Sequence, residues 1–386
     1  QVRGAMGLAG GENGPKAVLK RTCTPAFRTL PTLEDARRAV GVDRSQVLCV
    51  ADGNVALRGI PSSVTSFDNV VQFFGDRLLA YAKSAEHVVV VFDEPVAMTK
   101  AKQAEQQARD AKASKATPKC SDDLQLDIPT TDDYTEDALH HPDFNAPYLM
   151  ANCRGARSRF IDAVCLRVHD NVVARMRHEG LPFSLCFDGV DERGAHRPVG
   201  EARVAGVKAT HDEWKGVLAR RTAIGEGDLK VTDVTRRVRD DATWNPTSPF
   251  KNVLLNLIVT IDTDSLVIEV LEQTRRAQRV AEMEIQEMTI LCLSERSMRR
   301  KGDDFCSPAH LTCVDIELLH ECLVERLYGT ASLNEATNAT VGNALRLLAA
   351  ALALCGCDFC KLPGLRSDLA MDAVGELVRK RPLVVQ

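Results

Sequence analysis

The sequence has no long apolar segment and few aromatic residues. Its most apolar stretch, residues 345–355, is shorter than a membrane-spanning helix and contains Arg346. We therefore expect no membrane span and no secretory signal, so the sequence predicts a protein that is not secreted. Aromatic residues make up 5% of the chain, and residues 121–148 offer few side chains on which a nucleic-acid base could stack. Those few are Tyr134, Phe144 and Tyr148.

The sequence also lacks a strong net charge and a disulfide framework. Its formal net charge is −4, which argues against non-specific coating of nucleic acid but allows a local basic groove. The 13 cysteines have no framework spacing, so we expect reduced thiols in the cytoplasm, the nucleus or a viral factory. The pattern Cys355-x-Cys357-x-x-Cys360 has no partner pair at zinc-finger spacing, and we do not assign it to zinc.

Acidic residues follow two predicted buried strands. Residues 46–51 and 87–92 are apolar strand patterns that precede Asp52 and Asp93, and residues 66–82 between them have the apolar spacing of a helix. A strand, a helix and a strand in this order form a βαβ unit, which places both acids at one edge of a parallel sheet. A strand-terminal aspartate is also a common turn former, so neither acid is informative alone.

Elsewhere in the sequence, acidic residues occur in two pairs whose members are separated by one residue. Asp262 and Asp264 follow the apolar run 253–261, whereas Glu226 and Asp228 stand where a helix is predicted to begin. Carboxylates crowded at the C-terminal edge of a sheet repel one another unless a divalent cation neutralises them. The alternative is an acidic helix N-terminus and an ordinary acidic loop after a strand.

A basic segment, residues 99–119, follows Asp93 directly. Its first cations are Lys100, Lys102 and Arg109. Most charge runs are solvated helix faces, but this one begins beside the predicted acids, where cations would contact the phosphates of an incoming strand. Residues 121–141 are acidic and contain proline, and we expect a mobile insertion there.

The rest of the chain continues an α/β pattern. We expect helices over residues 156–179, 314–327 and 341–354, and strands over residues 183–188, 266–271 and 288–293. The helix over 341–354 is nearly all apolar and must be buried. Asp358 follows it, and a carboxylate in that position needs a metal ion, an arginine or a capping role.

Five motifs resemble, in order, the metal-binding acids of the 5′-nuclease superfamily. They are Val50-Ala51-Asp52, Val90-Val91-Phe92-Asp93, Gly225-Glu226-Gly227-Asp228-Leu229-Lys230, Asp262-Thr263-Asp264 and Gly356-Cys357-Asp358-Phe359. That superfamily contains flap endonucleases, XPG-type repair nucleases and 5′→3′ exoribonucleases. The similarity implies a PIN-like α/β fold, with a mostly parallel central sheet flanked by helices. It also implies a site for two Mg²⁺ or Mn²⁺ ions.

The resemblance implies a role for each residue. One metal ion would be held by Asp52, Asp93 and Glu226, the other by Asp262, Asp264 and Asp358, and Asp228 would bridge them. The residues expected to contact phosphates are Lys100, Lys102, Arg109, Lys230, Gly364 and Arg366. Two such ions would activate water for hydrolysis of a phosphodiester bond. The implied partner is RNA or DNA with a 5′ end or a flap.

The resemblance also implies a domain organisation. Residues 6–293 would form the PIN-like nuclease core, with a basic and acidic insertion at about residues 96–148. Residues 294–386 would form a helical C-terminal part, which contributes Asp358 and a segment similar to a helix-two-turn-helix.

Three functions remain open from the sequence. The Gly225–Lys230 motif, Asn152-Cys153 and residues 314–319 resemble the 5′→3′ exoribonucleases, and we favour an exonuclease. Residues 362–374 resemble instead the duplex-binding motif of flap endonucleases, although Arg366 stands where that motif has its second glycine. A catalytically inactive nucleic-acid-binding or structural subunit would also retain most of these acids.

Overall fold

The computed structural model describes residues 14–58, 66–92, 154–188, 217, 227–279, 287–294, 311–329, 337–356 and 365–380. The strands are β1 (Phe27–Leu30), β2 (Val47–Asp52), β3 (His87–Val91), β4 (Ser184–Asp188), β5 (Leu255–Thr260), β6 (Met288–Ser294) and β7 (Leu311–Asp315). The helices are α1 (Pro15–Thr22), α2 (Leu33–Ala39), α3 (Gly53–Arg58), α4 (Phe67–Ser84), α5 (Arg154–His178), α6 (Gly227–Trp244), α7 (Asp264–Arg279), α8 (Ile316–Tyr328), α9 (Asn338–Gly356) and α10 (Ser367–Lys380). Strands alternate with helices along most of the chain, so the predicted α/β class is confirmed.

The chain divides into two compact units, each assembled from segments that are distant in sequence. Unit 1 comprises Gln1–Val42, Leu254–Arg300 and Pro308–Gln386, and unit 2 comprises Asp43–Val253 and Lys301–Ser307. The boundary predicted at residue 294 does not coincide with this division, because β6 and β7 pair with each other across that boundary. The predicted insertion at residues 96–148 lies outside the described residues.

Unit 2 contains parallel strands in the order β2-β3-β4. Every residue of these strands is buried, as their uninterrupted apolar runs predicted. Helix α4 lies between β2 and β3 in the chain, and the Ser66 hydroxyl caps it by accepting a hydrogen bond from the Asn69 backbone N–H. The predicted βαβ unit is therefore confirmed. Helix α4 packs against both strands and against α5.

Unit 1 contains strands in the order β1-β7-β6-β5. Strands β5 and β6 are parallel, whereas β7 is antiparallel to both β6 and β1. Helices α7, α8, α9 and α10 pack against one another in this unit. Strand β1 was not predicted, because none of its side chains is fully buried and it has no apolar run to reveal it.

Two predicted elements differ from the structure. Residues 266–271 were predicted as a strand but belong to helix α7, so that prediction was wrong. Short runs of β-branched and aliphatic residues fit either element, and here Leu266 and Val270, one helical turn apart, are both buried. Residues 311–315 form β7, so the helix predicted from residue 314 begins at Ile316.

No helix among the described residues combines the length and the apolar character that crossing a membrane requires.

Candidate functional site

The C-terminal ends of three parallel strands form one row in unit 2. Asp52 on β2 pairs with Val91 on β3, and Val91 pairs with Asp188 on β4. Side chains in register on parallel strands point to the same face of a sheet. The two aspartates therefore share a face one strand apart, with their Cα atoms separated by roughly 10 Å, which is two strand spacings.

The Asp52 carboxylate is buried and held in a fixed orientation. Its side chain is 9% exposed, and its Oδ1 accepts hydrogen bonds from the backbone N–H groups of Asn54 at 2.9 Å and Val55 at 3.3 Å. These bonds satisfy two of the N–H groups that the first turn of α3 leaves without a helical acceptor. The structure thus places Asp52 at the strand end, as predicted, with its orientation set by the start of α3.

Gly53 allows a close approach between this turn and β3. A Cβ atom at position 53 would lie 2.3 Å from Cε1 of Phe92, the residue directly after β3. The Phe92 ring is fully buried, so it has no exposed direction in which to move. Only glycine fits beside Asp52 in this arrangement.

Lys230 forms a buried ion pair at the ends of β3 and β4. Its ammonium group donates a hydrogen bond of 2.9 Å to the carbonyl oxygen of Phe92 and lies 2.9 Å from Oδ2 of Asp188. The two side chains of this ion pair are only 1% and 3% exposed. These two partners take two of the three N–H donors of the buried ammonium group, and the contact of Lys230 with phosphates stays a prediction. Lys230 holds the first turn of α6 against the ends of β3 and β4.

Asp188 was missed as a candidate site residue. It is the last residue of the strand predicted over residues 183–188, and Asp52 and Asp93 were selected because they too follow predicted strands. Its partner could not be predicted, because Lys230 is far away in sequence and reaches Asp188 only through the packing of α6. The negative charge at the end of β4 is therefore paired within the protein.

Helix α6 begins at Gly227, which is buried. Its first turn lies at the ends of β3 and β4 because Lys230 holds it there. The backbone of Asp228 belongs to this turn. The Asp228 side chain, Glu226 and Asp93 lie outside the part of the chain that the structure describes.

In unit 1, Asp262 and Asp264 form the turn between β5 and α7. The Asp262 backbone N–H donates to Oγ1 of Thr260 at 3.0 Å, and Oδ1 of Asp262 accepts from the Asp264 N–H at 3.1 Å. Asp264 is the first residue of α7. Both acids are partly exposed at the end of a buried strand, as predicted. Asp358 lies beyond the end of α9 and outside the described residues.

Arg366 precedes α10 and is paired with an acid. Its Nε donates a hydrogen bond of 3.1 Å to Oδ1 of Asp368, and its Nη2 contacts the other carboxylate oxygen. This hydrogen-bonded pair lowers the pKa of Asp368. The Arg366 side chain is about half exposed, and its contact with nucleic acid stays a prediction. The other predicted phosphate-binding residues, Lys100, Lys102, Arg109 and Gly364, lie outside the described residues.

The predicted metal ligands are only partly described. Within the described residues, no three His, Cys, Asp or Glu side chains lie close enough to hold one metal ion. Asp52 belongs to unit 2, whereas Asp262 and Asp264 belong to unit 1. The predicted ligands are all carboxylates, which is the ligand chemistry that Mg²⁺ and Mn²⁺ prefer. The oriented Asp52 carboxylate at a strand end fits such an ion.

No protein-family model matches this chain, and no curated protein matches it.

Proposed function

We propose that this protein is a divalent-metal-dependent 5′-nuclease with a PIN-like fold. The observation that supports this most is the row of strand ends in unit 2, where the Asp52 carboxylate is oriented at the end of β2 and Lys230 holds the first turn of α6 at the ends of β3 and β4. Open α/β sheets bind their ligands at the C-terminal ends of their strands. The motif that contains Glu226 and Asp228 stands at the start of this same helix.

Each residue has a defined part in this proposal. The residues that would hold Mg²⁺ or Mn²⁺ are Asp52, Asp93, Glu226, Asp228, Asp262, Asp264 and Asp358. Bound ions of this kind supply an activated water and neutralise charge on the scissile phosphate. The Asp188–Lys230 pair takes no part in binding the ions. It fixes where the first turn of α6 lies relative to the strand ends.

The proposed cleavage is exonucleolytic in the 5′→3′ direction. The Gly225–Lys230 motif and Asn152-Cys153 resemble exoribonucleases, and Lys100, Lys102 and Arg109 would bind the 5′ phosphate of the strand. A flap or junction endonuclease is the second candidate, because residues 362–374 resemble a duplex-binding motif. Helix α10 occupies part of that stretch.

The test is a cleavage assay on a panel of substrates. The protein is incubated with Mg²⁺ and with end-labelled single-stranded RNA, single-stranded DNA or a 5′-flap duplex, with and without EDTA. We expect cleavage that needs Mg²⁺ or Mn²⁺ and is abolished by EDTA, because the proposed ligands are carboxylates. Full activity in EDTA would exclude the proposed chemistry.

A double variant distinguishes an active enzyme from an inactive nucleic-acid-binding subunit. Asp262→Asn with Asp264→Asn should abolish cleavage and leave strand binding intact or stronger, since two negative charges that face a phosphate are removed. If the wild-type protein binds strands but cleaves none of the panel with any divalent metal, the binding-subunit function replaces the nuclease.

A further inference from the structure

The side-chain nitrogen of Asn54 is buried beside Asp52, and no described residue accepts a hydrogen bond from it. Asn54 is 5% exposed, and among the described residues its Nδ2 has no hydrogen-bond acceptor. Its backbone N–H donates to Oδ1 of Asp52 at 2.9 Å, so the residue is anchored directly next to the proposed metal ligand. A side-chain amide nitrogen carries two N–H donors, and neither has a protein acceptor in this part of the chain.

Such a group needs an explanation. Buried polar side chains in folded proteins nearly always have a hydrogen-bond partner, and a buried donor without one destabilises the fold. An apolar side chain of the same branched shape, such as leucine, would avoid that penalty. Because Asn54 is buried, a hydrogen bond from its amide to a charged acceptor would be stronger there than in water.

We propose that Asn54 is a substrate-binding residue whose amide donates a hydrogen bond to a phosphodiester oxygen of the bound strand. The inference rests on the proposed nuclease function and adds a contact to it. A phosphate beside Asp52 would place an anionic oxygen next to a neutral donor, and hydrogen bonds to charged acceptors are about twice as strong as neutral ones. Asn54 contributes no charge, so this contact would not compete with the acids for a metal ion.

The test compares strand binding with stability in the full-length protein. All binding is measured by fluorescence anisotropy with a labelled single-stranded oligonucleotide, in the Asp262→Asn, Asp264→Asn background and in Mg²⁺, so that the strand stays intact. We expect Asn54→Leu to weaken the Kd by about tenfold or more, the value of one hydrogen bond to a charged group. Its thermal midpoint should not fall, because the apolar side chain removes an unsatisfied donor. Asn54→Asp, which has the same shape but no donor, should also weaken binding.

Asn256 provides the matched control. It is 1% exposed, but its Nδ2 donates to Oε2 of Glu287 at 3.2 Å. Asn256→Leu should therefore lower the thermal midpoint and leave the Kd unchanged, the reverse of Asn54→Leu.

Each other outcome overturns the inference. An unchanged Kd in Asn54→Leu, with a parent protein that binds the strand, refutes the contact while leaving the nuclease proposal intact. A fall in the thermal midpoint as large as that of Asn256→Leu shows that the amide has a structural role instead. When Asn54→Leu is made in the otherwise wild-type protein, a shift in the Mg²⁺ concentration for half-maximal cleavage, without a change in strand affinity in the double-Asn background, assigns the amide to a hydrated metal ion. If the parent protein binds no strand, the nuclease proposal fails and this inference fails with it.

Discussion

The ammonium group of Lys230 lies 2.9 Å from Oδ2 of Asp188, and both side chains are almost completely buried. The pair joins the first turn of α6 to the end of β4, while the hydrogen bond from Lys230 to the Phe92 carbonyl joins the same turn to β3. The Gly225–Lys230 motif, which is predicted to supply metal ligands, thus ends with a residue that fixes the position of α6.

Removing one partner of the Lys230–Asp188 pair should lower the free energy of unfolding. Lys230→Met removes the cation that lies 2.9 Å from the buried Asp188 carboxylate, and we expect a loss of about 3–5 kcal/mol in the free energy of unfolding. Urea denaturation measures it. Adding Asp188→Leu should recover most of the loss, because the buried carboxylate is then removed together with its cation.

Lys83 is the control for that prediction. Its ammonium group lies 3.6 Å from Glu179 on the surface, where both side chains are partly exposed. Lys83→Met should change the free energy of unfolding by less than about 1 kcal/mol. Equal stability of wild type and Lys230→Met would contradict the assignment of the pair.

A second prediction concerns the contact between Gly53 and Phe92. Gly53→Ala places a methyl group 2.3 Å from the buried ring, and we expect a destabilisation of about 1–3 kcal/mol from overpacking. Gly75→Ala is the control. A Cβ atom there would lie 3.8 Å from Val168, and the better helix propensity of alanine should leave α4 as stable or more stable. Thermal unfolding of both variants gives the comparison, and equal midpoints would refute the predicted clash.

A third prediction concerns pH. Burial raises the pKa of Glu317 above its ordinary value of 4.5, although its bonds to the Thr289 N–H and to Arg276 act in the opposite direction. A raised pKa means that the folded state binds the proton more tightly than the unfolded state. The stability from this group is therefore complete below about pH 4.5 and is lost as pH rises through the folded-state pKa.

The measurement for Glu317 is the free energy of unfolding of wild type and Glu317→Gln as a function of pH. The stability of wild type relative to the variant should decrease from below pH 4.5 toward neutral pH. A wild-type protein that gains stability relative to the variant over that range would contradict the raised pKa.

A fourth prediction separates the exonuclease from the flap endonuclease. A terminal 5′ phosphate carries more negative charge than an internal phosphodiester. A nearby ammonium group therefore binds the terminal phosphate more strongly. For an exonuclease, Lys100→Ala should reduce cleavage of 5′-phosphorylated strands far more than of 5′-hydroxyl strands. Lys251→Ala, which changes an exposed lysine of unit 2, should affect neither. Equal slowing on both kinds of end would favour the flap endonuclease.

Periodicity in the sequence was enough to predict the sheet core of unit 2. Strands β2, β3 and β4 are uninterrupted buried runs, and such runs are strong signals. The start of α7 was predicted wrongly because the apolar run from Leu266 fits a strand as well as a helix. Strand β1 has no apolar run, and only its pairing with β7 defines it.

The candidate site was predictable only in part, because its partners come from residues that are distant in sequence. A carboxylate at the end of an apolar strand can be recognised from neighbouring residues, so Asp52, Asp262 and Asp264 were placed correctly at strand ends. The partner of a buried charge depends on tertiary packing. Nothing near Lys230 in sequence predicts its bond to Asp188, and nothing near Asn54 predicts that its Nδ2 has no acceptor among the described residues.

Cleavage by an Asp52→Asn variant tests the proposed nuclease most directly. Asparagine keeps the oxygen that accepts from the Asn54 and Val55 N–H groups, so the start of α3 should remain folded while the charge that would bind the metal ion is lost. Under single-turnover conditions in Mg²⁺, we expect cleavage of the preferred strand to slow by at least about a hundredfold, since a bound metal ion contributes several kcal/mol to such a reaction. Asp76→Asn, which changes an exposed acid on α4, should cleave like wild type. An Asp52→Asn variant that cleaves at the wild-type rate would contradict the proposed metal site.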